Sequence, residues 1–337
     1  MPAIRWLRLL LLCLGLSPLA ASAWDRGVVE RFATLPVGSH GPEGLAADKA
    51  GNLYATEFDP TGTKPGHMDV FDNRGNFLRR VEVANSSGAL LGLDFHPKSG
   101  VLLVLDFGAG NVLSVDPVSG KSSVFASTGA QGLNALTFDK EGNVYVSDSF
   151  QGIIWKTGPT GGALTAWATD TKDEPVLHAQ GVPPFGANGV GFNKAFDTLF
   201  VANTGNDTVV SVPAAGGVVG LANVLTNSIN GADGLILDEQ DNIWVCANQG
   251  DEIVVIDKTG KVISKLGDFG GIDRDGAPIG FLFPASLVRH GGFIYVTNLS
   301  LDLRPVVNAQ AVDSQWAAQV TTNTISRIRA RILPNPD

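Results

Sequence analysis

Four side chains with oxygen donors stand at one recurring place in the chain: Glu43, Asn134, Asn188 and Asp233. Glu43, Asn134 and Asp233 each lie 11 residues before the centre of an apolar run, at Tyr54, Tyr145 and Trp244. Asn188 lies 12 before Phe200. Two carboxylates and two amide oxygens are the donors a hard cation takes, and Ca²⁺ accepts roughly six to eight oxygens from carboxylates, amide carbonyls and water. Two carboxylates meeting without a cation would be costly to bury. Asn and Asp also enter strands simply by capping the preceding loop. Four of six repeats with an oxygen donor at one position, and no lysine or arginine among them, favour a shared site. The same count reaches Gly92 in the second repeat and falls near Pro284 or Ala285 in the sixth.

That position has meaning because the chain repeats itself. Residues 51–57, 100–106, 142–148, 198–203, 242–246 and 293–298 are six versions of one β-branched and aromatic run. Their centres at Tyr54, Leu103, Tyr145, Phe200, Trp244 and Tyr295 are 49, 42, 55, 44 and 51 residues apart. A short apolar strand precedes most copies, and two more follow, separated by turns rich in Asp, Asn and Gly. Four short strands at such a period are the sequence form of a propeller blade. The expected fold is therefore all-β: a six-bladed β-propeller of four-stranded antiparallel blades. Residues 324–329 are expected as the third strand of the last blade and residues 27–32 as its fourth, so that strands from both termini close the ring and leave no open edge. The innermost strands line the central channel, where Glu43, Asn134, Asn188 and Asp233 would converge. Residues 170–187, 268–282 and 299–321 interrupt the rhythm and are candidates for lids or binding loops.

The N-terminus reads as a secretory leader over residues 1–23. Arg5 and Arg8 precede an apolar core over residues 9–16, and Ala21-Ser22-Ala23 is a small-x-small cleavage site before Trp24. The apolar run is well short of the roughly 18–20 residues a membrane span requires. Residues 24–337 then form a single propeller domain, secreted or periplasmic, with no membrane association after cleavage. The leader holds two arginines and no acid, so its loss moves the net charge from −9 to −11. An acidic chain without basic clusters argues against nucleic acid and anionic membranes as partners. Cys246 is the one cysteine left after cleavage, which excludes an intrachain disulfide. Its setting among Ile243, Trp244 and Val245 is that of a packed core thiol.

At these residues the chain resembles the gluconolactonase/regucalcin family of six-bladed propellers, with related lactonases and paraoxonases further off. The carrying motifs are Gly41-Pro42-Glu43-Gly44, residues 146–152, Gly186-Ala187-Asn188-Gly189 and Gly231-Ala232-Asp233-Gly234. The resemblance implies one divalent cation in the channel mouth on Glu43, Asn188 and Asp233, Ca²⁺ first and Zn²⁺, Mn²⁺ or Mg²⁺ next. It implies that Asn134 lies beside the metal or substrate and that Asp233 is a base for water, in a metal-dependent hydrolase of a lactone or related ester. Family members acting on sugar lactones place an arginine two positions before the blade-three Asn; here that position is Gly132. A more apolar lactone or ester would suit Phe150, Phe185 and Phe283 near the mouth.

Two other functions compete. A binding propeller of the NHL type would capture a ligand or protein without turnover, since fold does not fix function. A propeller lyase would need a base such as His178, in the insertion over residues 170–187. His40 is close to Glu43 in sequence and could hydrogen-bond the site. Asp106, Asp148, Asn203 and Asn298, at the ends of the second strands, read as structural groups that bind nearby turns. Asn85, Asn206 and Asn298 head N-x-S/T patterns, relevant where a host glycosylates secreted proteins.

Overall fold

The computed structural model describes residues 25–59, 61–62, 65–307 and 314–332. The leader, its cleavage site and Trp24 lie outside these residues. Six four-stranded antiparallel sheets form the blades of a propeller. The innermost strands are Gly41–Ala47, Leu90–Phe95, Leu133–Phe138, Ala187–Phe192, Ala232–Leu237 and Pro284–His290. Blade six is completed by Thr324–Arg329 as its third strand and Glu30–Thr34 as its outermost, so the two ends of the chain close the ring as expected. Among the described residues, no helix is long and apolar enough to cross a membrane.

The blades cohere through apolar faces that pack between neighbours, since a blade cannot bury both faces alone. Tyr54 of blade one meets Phe95 of blade two edge-to-face at 5.2 Å. Tyr145 of blade three meets Phe192 of blade four at 4.9 Å. Val, Ile and Leu of the second and third strands fill the rest of these layers with no more than 3% exposure. Cys246 is among them, fully buried, as its flanking residues indicate.

Tight turns between the first and second strands hold the centres of blades one, three and five in place. Asp139 Oδ1 accepts the Glu141 and Asn143 backbone N–H groups, and its Oδ2 accepts the Asn143 amide and the Tyr145 hydroxyl. Asp48 does the same for Asn52 and Tyr54, and Asp238 for Asn242 and Trp244. The repeated Asn-plus-aromatic signature is thus a turn clamp that anchors the aromatic ring.

The insertions in blade six are built. Phe269–Ile272 and Pro278–Gly280 form a small hairpin, and Leu303–Val307 and Ser314–Ala317 are short helices. Arg31 ties the hairpin to the closing strand through Asp273 and Asp275. Asn298 is fully buried and donates to Thr324 and Ser326, which removes it as a glycosylation acceptor in the folded chain.

Candidate functional site

Every innermost strand carries one register shift at the same place. The shifts fall between Pro42 and Leu45, Leu90 and Leu93, Leu133 and Leu136, Ala187 and Val190, Ala232 and Leu235, and Pro284 and Leu287. A bulge re-aims a side chain without ending the strand. The first residue inside each bulge forms a ring: Glu43, Leu91, Asn134, Asn188, Asp233 and Ala285. The four oxygen donors expected to converge therefore do so. Blade two contributes Leu91 and not Gly92, because its turn holds one residue more than those of blades one, three and five. Blade six contributes Ala285.

The second residue in each bulge is Gly44, Gly92, Ala135, Gly189, Gly234 or Ser286. Small side chains are needed there because the next blade's backbone presses close. A Cβ on Gly44 would lie 2.2 Å from the Leu91 carbonyl oxygen, and one on Gly189 would lie 2.4 Å from that of Asp233. Threonines on the second strands stitch neighbouring blades across this contact. Thr56 donates to the Leu91 carbonyl at 2.6 Å, and Thr297 to the Glu43 carbonyl at 2.7 Å.

Glu43, Asn134, Asn188 and Asp233 form the floor of one cavity together with Thr204 and Asn248. All six are buried, between 2% and 6% exposed. Thr204 and Asn248 were not singled out from sequence. Each follows directly on the last residue of a second strand (Thr198–Asn203 and Ile243–Ala247), a position one step beyond the recurring Asp and Asn. Asn188 donates an amide N–H to Thr204 Oγ1 at 3.0 Å, and Asn248 donates one to Asp233 Oδ2 at 2.8 Å. Asp233 Oδ1 is buried with no hydrogen-bond partner.

The charge balance of this floor is unusual. Burial raises the Glu43 pKa well above the carboxylate range, and the nearby Asp233 raises it further. Burial also lifts Asp233 to about 7, against the Asn248 hydrogen bond that favours its charged form. Among the described residues, the cavity lining contains no lysine, arginine or histidine to offset two acids. The Cys246 thiol, behind the site, is pushed up by burial and then by Asp233 and Glu43, which keeps it protonated and inert.

The walls are apolar. Phe58, Leu91 and Phe107 come from blades one and two, and Phe283, Leu299 and Leu301 from blade six, while Pro183 and Phe185 descend from the link before blade four. Phe185 and Phe283 both line the cavity, whereas Phe150 stacks on Phe185 from outside the lining, with ring centroids 5.7 Å apart. His178 is exposed on its loop and does not line the cavity. His40 keeps away from the floor too, its Nε2 lying 3.6 Å from Asp59. Gly132 has φ 137°, and a Cβ there would meet Asp148 Oδ1 at 2.4 Å, so no side chain enters the cavity from that position. Asp148 itself accepts hydrogen bonds from Gln151 and the Trp155 indole, a structural role as expected.

The family profile described as the SMP-30/Gluconolactonase/LRE-like region matches residues 95–267, half of the chain. The chain belongs to this family. Five of the six floor residues, Asn134, Asn188, Thr204, Asp233 and Asn248, fall within the matched stretch. A second profile, the N-terminal part of strictosidine synthase-like proteins, matches residues 31–57, which include Glu43. Among solved structures, a luciferin-regenerating enzyme is 16% identical, with 92% of this chain and 97% of that chain covered and a TM-score of 0.65. A gluconolactonase from Xanthomonas campestris is 13% identical over 92% of this chain and 95% of that one, with a TM-score of 0.60. A streptogramin B lyase, 13% identical, covers 92% and 99% at a TM-score of 0.58. Such identities speak to a shared propeller fold alone. A search of the curated proteins found no match.

Proposed function

We propose that this member of the SMP-30/gluconolactonase/LRE-like family is a metal-dependent hydrolase of a lactone or related ester. The observation that carries the proposal is the pair of buried acids, Glu43 and Asp233, facing one cavity with no basic side chain among the described residues of its lining. The donor set fits a hard cation: two carboxylates, the Asn188 amide oxygen, and an Asp233 oxygen buried without a hydrogen bond. Glu43, Asn188 and Asp233 would hold the ion, with Ca²⁺ the first candidate. A divalent cation there supplies a Lewis acid for the ester carbonyl.

The side chains do the remaining work. Asn134 faces the same floor from blade three and orients the substrate carbonyl. Asn248 fixes the Asp233 carboxylate in place. Asp233 faces the floor as a carboxylate and is suited to take a proton from water during attack on the acyl carbon. Water then adds its hydroxyl to that carbon as the acyl C–O bond breaks, and the proton passes to the departing alkoxide oxygen. The apolar walls limit competing water. Export to a periplasmic or extracellular space belongs to the same reading and rests on the leader.

The test is metal content and turnover measured together on the mature protein. About one divalent ion per chain after dialysis, lost in Glu43→Ala and Asp233→Ala, is expected. Ester or lactone hydrolysis should vanish on chelation and fall by about 100-fold or more in Asp233→Ala. Hydrolysis that survives both chelation and Asp233→Ala would refute the proposal. Tight ligand capture without turnover would point instead to a binding propeller.

A further inference from the structure

The residues at the ends of the second strands, each one step past the residue paired with the position before the bulge, form another ring, and its two halves differ. Blades three, four and five place Ser149, Thr204 and Asn248 there; blades one, two and six place Phe58, Phe107 and Leu299. All but Ser149 line the cavity. The polar half is already engaged. Ser149 donates to the Ala187 carbonyl and Thr204 to the Ala232 carbonyl, while Asn248 spends an amide hydrogen on Asp233. The apolar half is braced. Phe58 meets Phe107 edge-to-face at 6.2 Å, Phe107 meets Phe150 at 5.2 Å, and Phe150 stacks on Phe185 at 5.7 Å. Rings held by one another offer a rigid wall at little entropic cost.

A polyhydroxylated ring in this cavity would set hydroxyls against Phe58, Phe107 and Phe185 and strip them of water without giving partners in return. An apolar substituent would meet the same surface at a gain proportional to the area buried. We infer that the substrate is a lactone or ester with an alkyl or aryl substituent: its carbonyl lies over the Asn134–Asn188–Asp233 side of the floor and its apolar body lies against the wall built by blades one, two and six. This inference rests on the hydrolase reading for the reaction, but the wall itself is independent of it.

The experiment is a series of γ-lactones, from unsubstituted to γ-octyl, with glucono-δ-lactone as the polyol probe, on the mature protein in millimolar Ca²⁺. Each added methylene should raise kcat/KM about three- to fourfold until the wall is covered. Phe185→Ser and Leu301→Ser, both at partly exposed positions, should flatten that slope to below about twofold, with circular dichroism checking that each variant is folded. Faster turnover of glucono-δ-lactone, or a flat series, overturns the inference and leaves the hydrolase reading standing. If neither these lactones nor the matching open-chain alkyl esters turn over, the hydrolase reading fails, and calorimetry with γ-alkyl-γ-lactams decides the wall alone. Affinity rising about three- to fourfold per methylene then supports it, and affinity independent of chain length overturns it.

Discussion

Asn248 donates an amide N–H to Asp233 Oδ2 at 2.8 Å, from the end of one strand to the bulge of its neighbour within blade five. The bond joins a residue that holds no charge to the carboxylate on which the proposed site depends. It favours the charged form of Asp233 against the burial that opposes it. Removing it should leave Asp233 more readily protonated and less firmly aimed. Asn248→Ala is expected to weaken cation binding by roughly 10–100-fold. A chelator-competition titration across pH checks this, and the loss should be larger at pH 6 than at pH 8. Equal affinity in the two proteins would show that Asn248 does not position the acid.

Gly44 is required by space. Its missing Cβ would fall 2.2 Å from the Leu91 carbonyl oxygen and 2.7 Å from Thr56 Oγ1, and the first of these is backbone in the next blade. Gly44→Ala should force blades one and two apart and cost about 3 kcal/mol of stability. Urea denaturation measures it. Ala135→Gly, at the equivalent position of blade three, should cost no more than about 1 kcal/mol, because it removes a methyl and adds no clash.

Much of this was legible before the fold was seen. Oxygen donors 11 or 12 residues before four of the five aromatic strand centres, each followed by Gly or Ala, mark the bulge that turns Glu43, Asn134, Asn188 and Asp233 inward. Leu91 escaped the count because one extra turn residue in blade two shifts the offset from 11 to 12, as in blade four. Thr204 and Asn248 escaped because their neighbours Asn203 and Ala247 end the strands, and strand pattern alone does not say that the next side chain turns toward the axis. Phe150 was expected at the mouth, but it packs behind Phe185: sequence locates a loop aromatic on a blade end, and only packing decides which ring faces the cavity.

Asp94 lies at the opposite end of the channel, three positions beyond Leu91 on the same strand, among residues such as Ala46 and Thr137. Burial raises its pKa to about 6, against one backbone N–H from Phe95 that favours the charge. A raised folded pKa means that the native state prefers the proton. That contribution is complete below the unfolded value of about 3.9 and is lost as pH rises through about 6. Asp94→Asn removes the dependence, so the variant should be more stable than the parent at pH 8 by about 2 kcal/mol and close to it at pH 4. Denaturation at the two pH values tests the sign. A gap that is the same at both would mean that Asp94 does not titrate with folding.

Asp139 gives the reverse sign. Burial pushes its pKa up, but hydrogen bonds from the Asn143 amide and backbone and from the Tyr145 hydroxyl outweigh this and leave it depressed. Its contribution is therefore present above the unfolded value of about 3.9 and is lost as pH falls through the lower folded value. Asp139→Ala leaves the Asn143 amide and the Tyr145 hydroxyl without their acceptor and frees a turn that closes at Gly142, where φ is 88°. The expected cost near neutrality is about 1–2 kcal/mol, since water replaces part of what is lost. Lys156 at 4.0 Å adds little at such an exposed distance. The difference between parent and variant should shrink below about pH 4, the opposite trend to Asp94→Asn. Thermal unfolding of both variants across the same pH range sets the two signs side by side, and parallel trends would contradict the assignment of either acid.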